Sequence, residues 1–128
     1  MKVGSLSAAW SAQPLGEVLS FFAEAGLEAI EIGTGAYPGD AHCDPFELKG
    51  NKRKRDNFVA MIKDHGLVIS ALSCHGNPLH PNKKLAQEHH EVWRATADLA
   101  CATMAGRRGG QGLQAVVTPC VSCVCPLI

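Results

Sequence analysis

Residues 67–81 read LVISALSCHGNPLHP, and a strand and a loop follow one another inside them. Leu67 to Ser73 is a nearly continuous apolar run, the pattern of a strand covered on both faces. Cys74 to Pro81 reads as a loop from its glycine, asparagine and prolines. Behind it comes the longest helical stretch, about residues 83–105. Its inner side is marked by Leu85, His89, Val92, Trp93, Thr96, Leu99 and Ala100. Strand, loop and long helix in that order make one βα unit.

Two further units precede it. Lys2 to Leu6 is a short strand, and Pro14 sits where proline suits a first helical turn. Leu15, Val18, Leu19 and Phe22 fall at i, i+3, i+4 and i+7, and Gly26 supplies the stop. Glu28 to Gly33, EAIEIG, is the second strand, followed by the glycine- and proline-marked loop GTGAYPG at 33–39. Asp44-Pro45-Phe46-Glu47 combines an N-cap residue, proline at N1 and glutamate at N3, so a short helical turn is expected. A longer helix is expected over residues 53–65, with Phe58, Met61 and Ile62 inward and Gly66 as its end. After Gly106 the text changes: RRGGQG occupies 107–112, residues 113–118 read as a fourth strand, and the chain closes with PCVSCVCPLI.

The order is β-α-β-α-β-α-β, and the long crossovers force parallel pairing, an α/β fold. An open doubly wound sheet and a barrel both fit that order. A dinucleotide-binding sheet wants GxGxxG after its first strand, where this chain has SLSAAWSAQP. The glycines at 33, 35 and 39 follow the second strand with the wrong spacing.

Composition narrows the function classes. The 128 residues are 46% hydrophobic and 19% charged, ordinary for a globular chain with a real core. Twelve basic residues balance twelve acidic ones, so no global field recruits nucleic acid or an anionic membrane. The basic run Lys52-Arg53-Lys54-Arg55 reads as a solvated helix start. No apolar stretch approaches the roughly 20 residues of a membrane span, and Lys2 leads straight into a strand instead of an h-region. A cytoplasmic chain is the expectation, with Cys43, Cys74, Cys101, Cys120, Cys123 and Cys125 as free thiols.

The segment Ile69 to Pro81 resembles the third-strand signature of the sugar phosphate isomerases/epimerases, a xylose-isomerase-like TIM-barrel family. Gly26 to Gly33, GLEAIEIG, is similar to that family's second strand, where a glutamate near the strand end faces the barrel mouth. The Trp10 loop and Asp44-Pro45 sit where the family tolerates them, and the resemblance covers about residues 1–104. It implies a partial (β/α)8 TIM barrel of three to four βα units over 1–106, with 107–128 as an atypical tail. It also implies a divalent metal ion (Mn, Mg, Co or Zn), a small sugar or sugar phosphate as partner, and proton transfer beside the sugar carbonyl.

The departures are as informative. A whole barrel takes about 250 residues in eight βα units. The family's principal metal carboxylates and histidines come from later strands than those read here. The glycine- and arginine-rich burst with clustered cysteines is the sort of text a shifted reading frame gives, and those residues are expected to pack poorly. On these grounds the chain by itself is expected to be inactive.

Glu31 is the foremost candidate residue. A charge inside an apolar strand is costly unless it is paired or placed at a wet mouth, so it is either a proton carrier or half of an ion pair. His75, directly after the third strand, offers an imidazole suited to a metal, or else bonds to backbone carbonyls. His80 is a substrate contact or a loop-orienting group. Trp10 covers a sugar face or packs against its neighbours. His89 and His90 are consecutive and point in different directions, so they form no i, i+4 metal pair. Cys120, Cys123 and Cys125 lack a second ligand pair at zinc-finger spacing.

Two other readings stand beside the isomerase. One is a catalytically silent half-barrel that assembles with another chain, or a second copy, through its exposed sheet edges. The other is a phosphodiesterase of the apurinic-endonuclease branch, which the neutral charge balance disfavours because DNA binding wants a basic face.

Overall fold

The computed structural model describes residues 1–104 and 116–118. Four strands, β1 (Gly4–Leu6), β2 (Ala29–Gly33), β3 (Val68–Ser73) and β4 (Val116–Thr118), form one sheet in the order β1-β2-β3-β4, every pairing parallel. A 3-10 turn, Ser7–Trp10, follows β1. The helices are α1 (Leu15–Glu24), α2 (Pro45–Gly50), α3 (Lys52–Asp64) and α4 (Lys83–Met104).

The sequence signals account for most element ends. Asp44 accepts hydrogen bonds from the N–H groups of Phe46 and Glu47, capping α2 as expected, with Pro45 in its first turn. Asn51 caps α3 through Lys54 N–H. Gly26 and Gly66 take positive φ (77° and 76°) just past α1 and α3, the left-handed exit that glycine adopts without strain. Pro14 stands one position earlier than expected, at the N-cap of α1.

Strand alternation divides the sheet into two unlike faces. Ile30 and Ile32 of β2 are level with Ile69 and Leu72 of β3, and all four belong to one buried cluster. Every helix adds to that cluster: Phe22 from α1, Leu48 from α2, Ile62 from α3, Leu99 from α4. The three-residue step from Ile69 to Leu72 is made possible by a register shift at Ser70, whose hydroxyl bonds the Ile30 carbonyl at 3.1 Å. The other face carries Leu6, Glu31 and Ala71, mutually in register. Sequential order with helices contributing to one core makes this α/β sheet the arc of a singly wound barrel, not a doubly wound sheet.

Some expectations need correction. Met61 and Trp93, expected on inner faces, are 42% and 38% exposed. The strips of α3 and α4 that touch the core are narrower than the apolar pattern, and Trp93 packs instead on the His90 ring at the surface. Ala95, fully buried, takes an inner position of α4 that its small side chain had not advertised. The basic run, by contrast, opens α3 as the expected exposed helix start, with Lys52 paired to Asp56, Lys54 to Glu47, and Arg55 donating to the Leu48 and Lys49 carbonyls. The tail at 107–128 lies outside the described residues apart from β4, which falls within the expected fourth strand at 113–118.

Candidate functional site

Parallel pairing brings the C-terminal ends of β1, β2 and β3 to one edge, where the chain leaves through the 3-10 turn and the loops after Gly33 and Ser73. The loops are tied together at that edge. Thr34 N–H donates to the Ser73 carbonyl at 2.9 Å, Gly35 N–H to Gly39 at 3.0 Å, and His75 N–H to Tyr37 at 2.6 Å. The Tyr37 and His75 rings lie 6.4 Å apart.

Glu31 lies two residues before the end of β2, between Leu6 and Ala71. Ile30 and Ile32 on either side of it enter the helix-side core, so alternation turns Glu31 to the other face. It is half-buried, and among the described residues no hydrogen bond or salt bridge engages its carboxylate. The ion-pair alternative therefore has no partner there. His75 stands two residues beyond β3, half-buried, at the same end of the sheet. The two residues share that end, but no hydrogen bond or ion pair joins them.

The remaining candidates have structural partners. The Nδ1 of His80 accepts the Asn82 N–H at 3.1 Å, and Asn82 Oδ1 in turn accepts from Lys84 and Leu85, so His80 sets the entry into α4. Trp10 meets Phe22 edge-on at 5.0 Å and Phe21 at 5.8 Å, on the border of the core. The Nδ1 of His89 accepts from Asn77 N–H at 2.8 Å, fastening the β3 loop to α4.

Sequence reasoning passed over a buried polar group beneath the site. Thr34 and Thr96, both fully buried, have their hydroxyls 2.8 Å apart, and the Thr34 hydroxyl also bonds the Ser73 carbonyl at 3.2 Å. Since that carbonyl only accepts, Thr34 donates to it and Thr96 donates to Thr34. Cys74 lies beside them: burial raises its thiol pKa, and the neighbouring Thr96 and Thr34 hydroxyls partly oppose the rise. The available signal was alternation continued past the strand ends, which places Thr34 and Cys74 on the side of Ile32 and Leu72. Cys43 is pushed up to about 12, first by burial and then by Asp44 and Asp40. Cys43, Cys74 and Cys101 are all free thiols.

Among the described residues no three His, Cys, Asp or Glu side chains gather into a donor set. His75 alone is one imidazole, so these residues do not by themselves make a zinc-type site, which takes three or four protein ligands. No described helix is long and apolar enough to cross a membrane.

What the described residues define is thus a singly wound β/α sheet with the Glu31 carboxylate on the face opposite the helical core. No protein-family model matches the chain. It is similar to the uncharacterized protein YfiH of Bacillus subtilis (strain 168), with 29% identity over 100 residues, 78% of this chain and 32% of YfiH. Among solved structures it is similar to D-psicose 3-epimerase crystallised in the presence of D-fructose. That likeness has a TM-score of 0.45 and 13% identity, and covers 78% of this chain and 35% of the epimerase. The chain spans about a third of the length of these proteins.

Proposed function

We propose that the chain supplies the opening βα units of a sugar isomerase or epimerase site, acting on a small sugar or sugar phosphate, with Glu31 as its proton carrier. The observation that carries this reading is the Glu31 carboxylate itself. It is half-buried in an apolar strand, near the strand's C-terminal end, on the face away from the helical core, without a partner among the described residues. A carboxylate so placed can take a proton from a carbon beside a carbonyl and return it to that carbon or its neighbour. The negative charge that develops on the carbonyl oxygen needs an electrophile, and the described residues gather no group of three donors that would hold a metal for that task. In this reading His75 contributes one donor to a metal whose other ligands come from elsewhere. Trp10 and His80 contribute to the sugar's surroundings, His80 through the loop it orients.

The test is binding. With the full chain labelled by 15N, titration with D-fructose should give saturable shifts at residues 31–33 and 75–76, strongly weakened in Glu31→Gln. Shifts confined to other surfaces, or unchanged by Glu31→Gln, would end the reading.

A second reading, a silent assembling half-barrel, is favoured by the sheet edge. Among the described residues β1 pairs on one side only, with β2, and in this reading its other side takes another strand.

A further inference from the structure

Tyr37 is the only tyrosine of the chain and lies in the loop that follows β2. It is 72% exposed, although the backbone around it is closely tied. Gly35 N–H closes the loop on the Gly39 carbonyl at 3.0 Å, and the Tyr37 carbonyl accepts the His75 N–H. A Cβ at Gly33 would meet the Gly39 carbonyl oxygen at 2.6 Å, so the loop folds directly against the end of its own strand. Ala36 holds a φ of 53°, a left-handed conformation that alanine takes only where its surroundings impose it. The backbone on both sides of Tyr37 is thus committed, while its side chain stands in solvent.

That side chain is at the proposed site. Its loop continues the strand that carries Glu31, and its ring centroid lies 6.4 Å from that of His75, tilted by 41°. Trp10, the aromatic expected to cover a sugar face, is engaged by Phe21 and Phe22. The other exposed aromatics among the described residues, Phe21, Phe46 and Trp93, are on helices. Tyr37 is the one that a strand-end loop presents.

An aromatic face in water gains by covering the C–H groups of a sugar, and the phenol adds a hydroxyl that both donates and accepts. With two side-chain torsions on a tied backbone, little freedom is lost in that contact.

We propose that Tyr37 is the sugar-covering residue of this site, its ring taking the C–H side of a ketose whose reacting carbon is presented to Glu31. The inference rests on the reading of Glu31 and adds a specificity element to it: a polyol too small to cover the ring is not held.

The experiment uses the full chain, labelled with 15N and with 13C in its single tyrosine ring, and titrates it with D-fructose and, separately, with glycerol. D-Fructose should shift the ring signals saturably, with the same Kd as the shifts at residues 31–33 and 75–76, and glycerol at equal concentration should not. Tyr37→Ala should weaken D-fructose binding by about fivefold with an unchanged melting temperature, whereas Tyr37→Phe, which keeps the ring, should bind nearly as the wild type does. Should Tyr37→Ala lose stability, nuclear Overhauser contacts between the wild-type ring and the C–H protons of the sugar decide: their presence supports the role and their absence overturns it. Shifts at 31–33 and 75–76 with the ring unmoved, or an undiminished affinity in Tyr37→Ala, would overturn the role of Tyr37 alone. Silence at all of these residues would overturn it together with the Glu31 reading. An equal response to glycerol would show only the solvation of an exposed ring, and would overturn it as well.

Discussion

Glu31 and Cys43 show how differently two ionisable side chains sit in one small fold. Glu31 occupies a strand position whose neighbours are all apolar or small, yet alternation turns it away from the helical core and leaves it half in solvent. Cys43 is buried beside Asp44 and Asp40, and both burial and those charges oppose its thiolate. The linkage has a definite sign. In the unfolded chain the thiol ionises near its ordinary 9.0, whereas in the folded chain it stays protonated up to about 12. Between those values the folded state holds more protons, so stability falls as pH rises, by up to about 1.4 kcal/mol per pH unit from this group. Denaturation of the wild type should therefore lose stability between about pH 9 and 12 more steeply than Cys43→Ala does. Parallel curves for the two chains would contradict the assignment.

Among the elements, α4 is held to the sheet by polar as well as apolar contacts. Leu99 and Ala100 enter the core, while Thr96 reaches the Thr34 hydroxyl at the end of β2. Gly35 permits this approach, because a Cβ there would meet Val92 of α4 at 2.8 Å. Removing the Thr34 hydroxyl leaves the Thr96 hydroxyl without its acceptor, at a cost of about 1–3 kcal/mol, whereas removing the Thr96 hydroxyl leaves Thr34 still donating to the Ser73 carbonyl. Thr34→Val should therefore destabilise the chain by about that amount, Thr96→Val by less, and the double variant by clearly less than their sum. Chemical denaturation of the four chains measures the coupling, and strict additivity would show that the hydroxyls do not depend on each other. The short α2 was the most legible element, since an aspartate followed by proline and, three residues on, glutamate specifies a helix start through local hydrogen bonds alone.

For the whole molecule, sequential parallel strands with each described helix feeding one core make an arc, with Glu31 on its opposite face. The proposed site draws on one carboxylate, Glu31, and one imidazole at the same end of the sheet, His75, too few to polarise a carbonyl and shuttle a proton together. Assayed alone against several ketoses and their epimers, with added manganese, magnesium, cobalt or zinc, the purified chain should show turnover no greater than background. Robust metal-dependent turnover that vanishes in Glu31→Gln would show instead that the residues present suffice.

The sequence by itself determined the alternation of strands and helices, their parallel pairing, the caps at Asp44 and Gly66, and the candidacy of Glu31. Each of these is local, resting on periodicity, on a cap within a few residues, or on a charge set in an apolar run. Only the tertiary structure decided which apolar residues of α3 and α4 are core, because that depends on how wide a strip of helix the sheet can cover. Met61 and Trp93 fall outside it and Ala95 within. It alone joined Thr34 to Thr96 across 62 positions, and brought Tyr37 beside His75 from loops after different strands. Contacts of that kind carry no signal along the chain, since the partners are chosen by the crossing of elements and not by spacing.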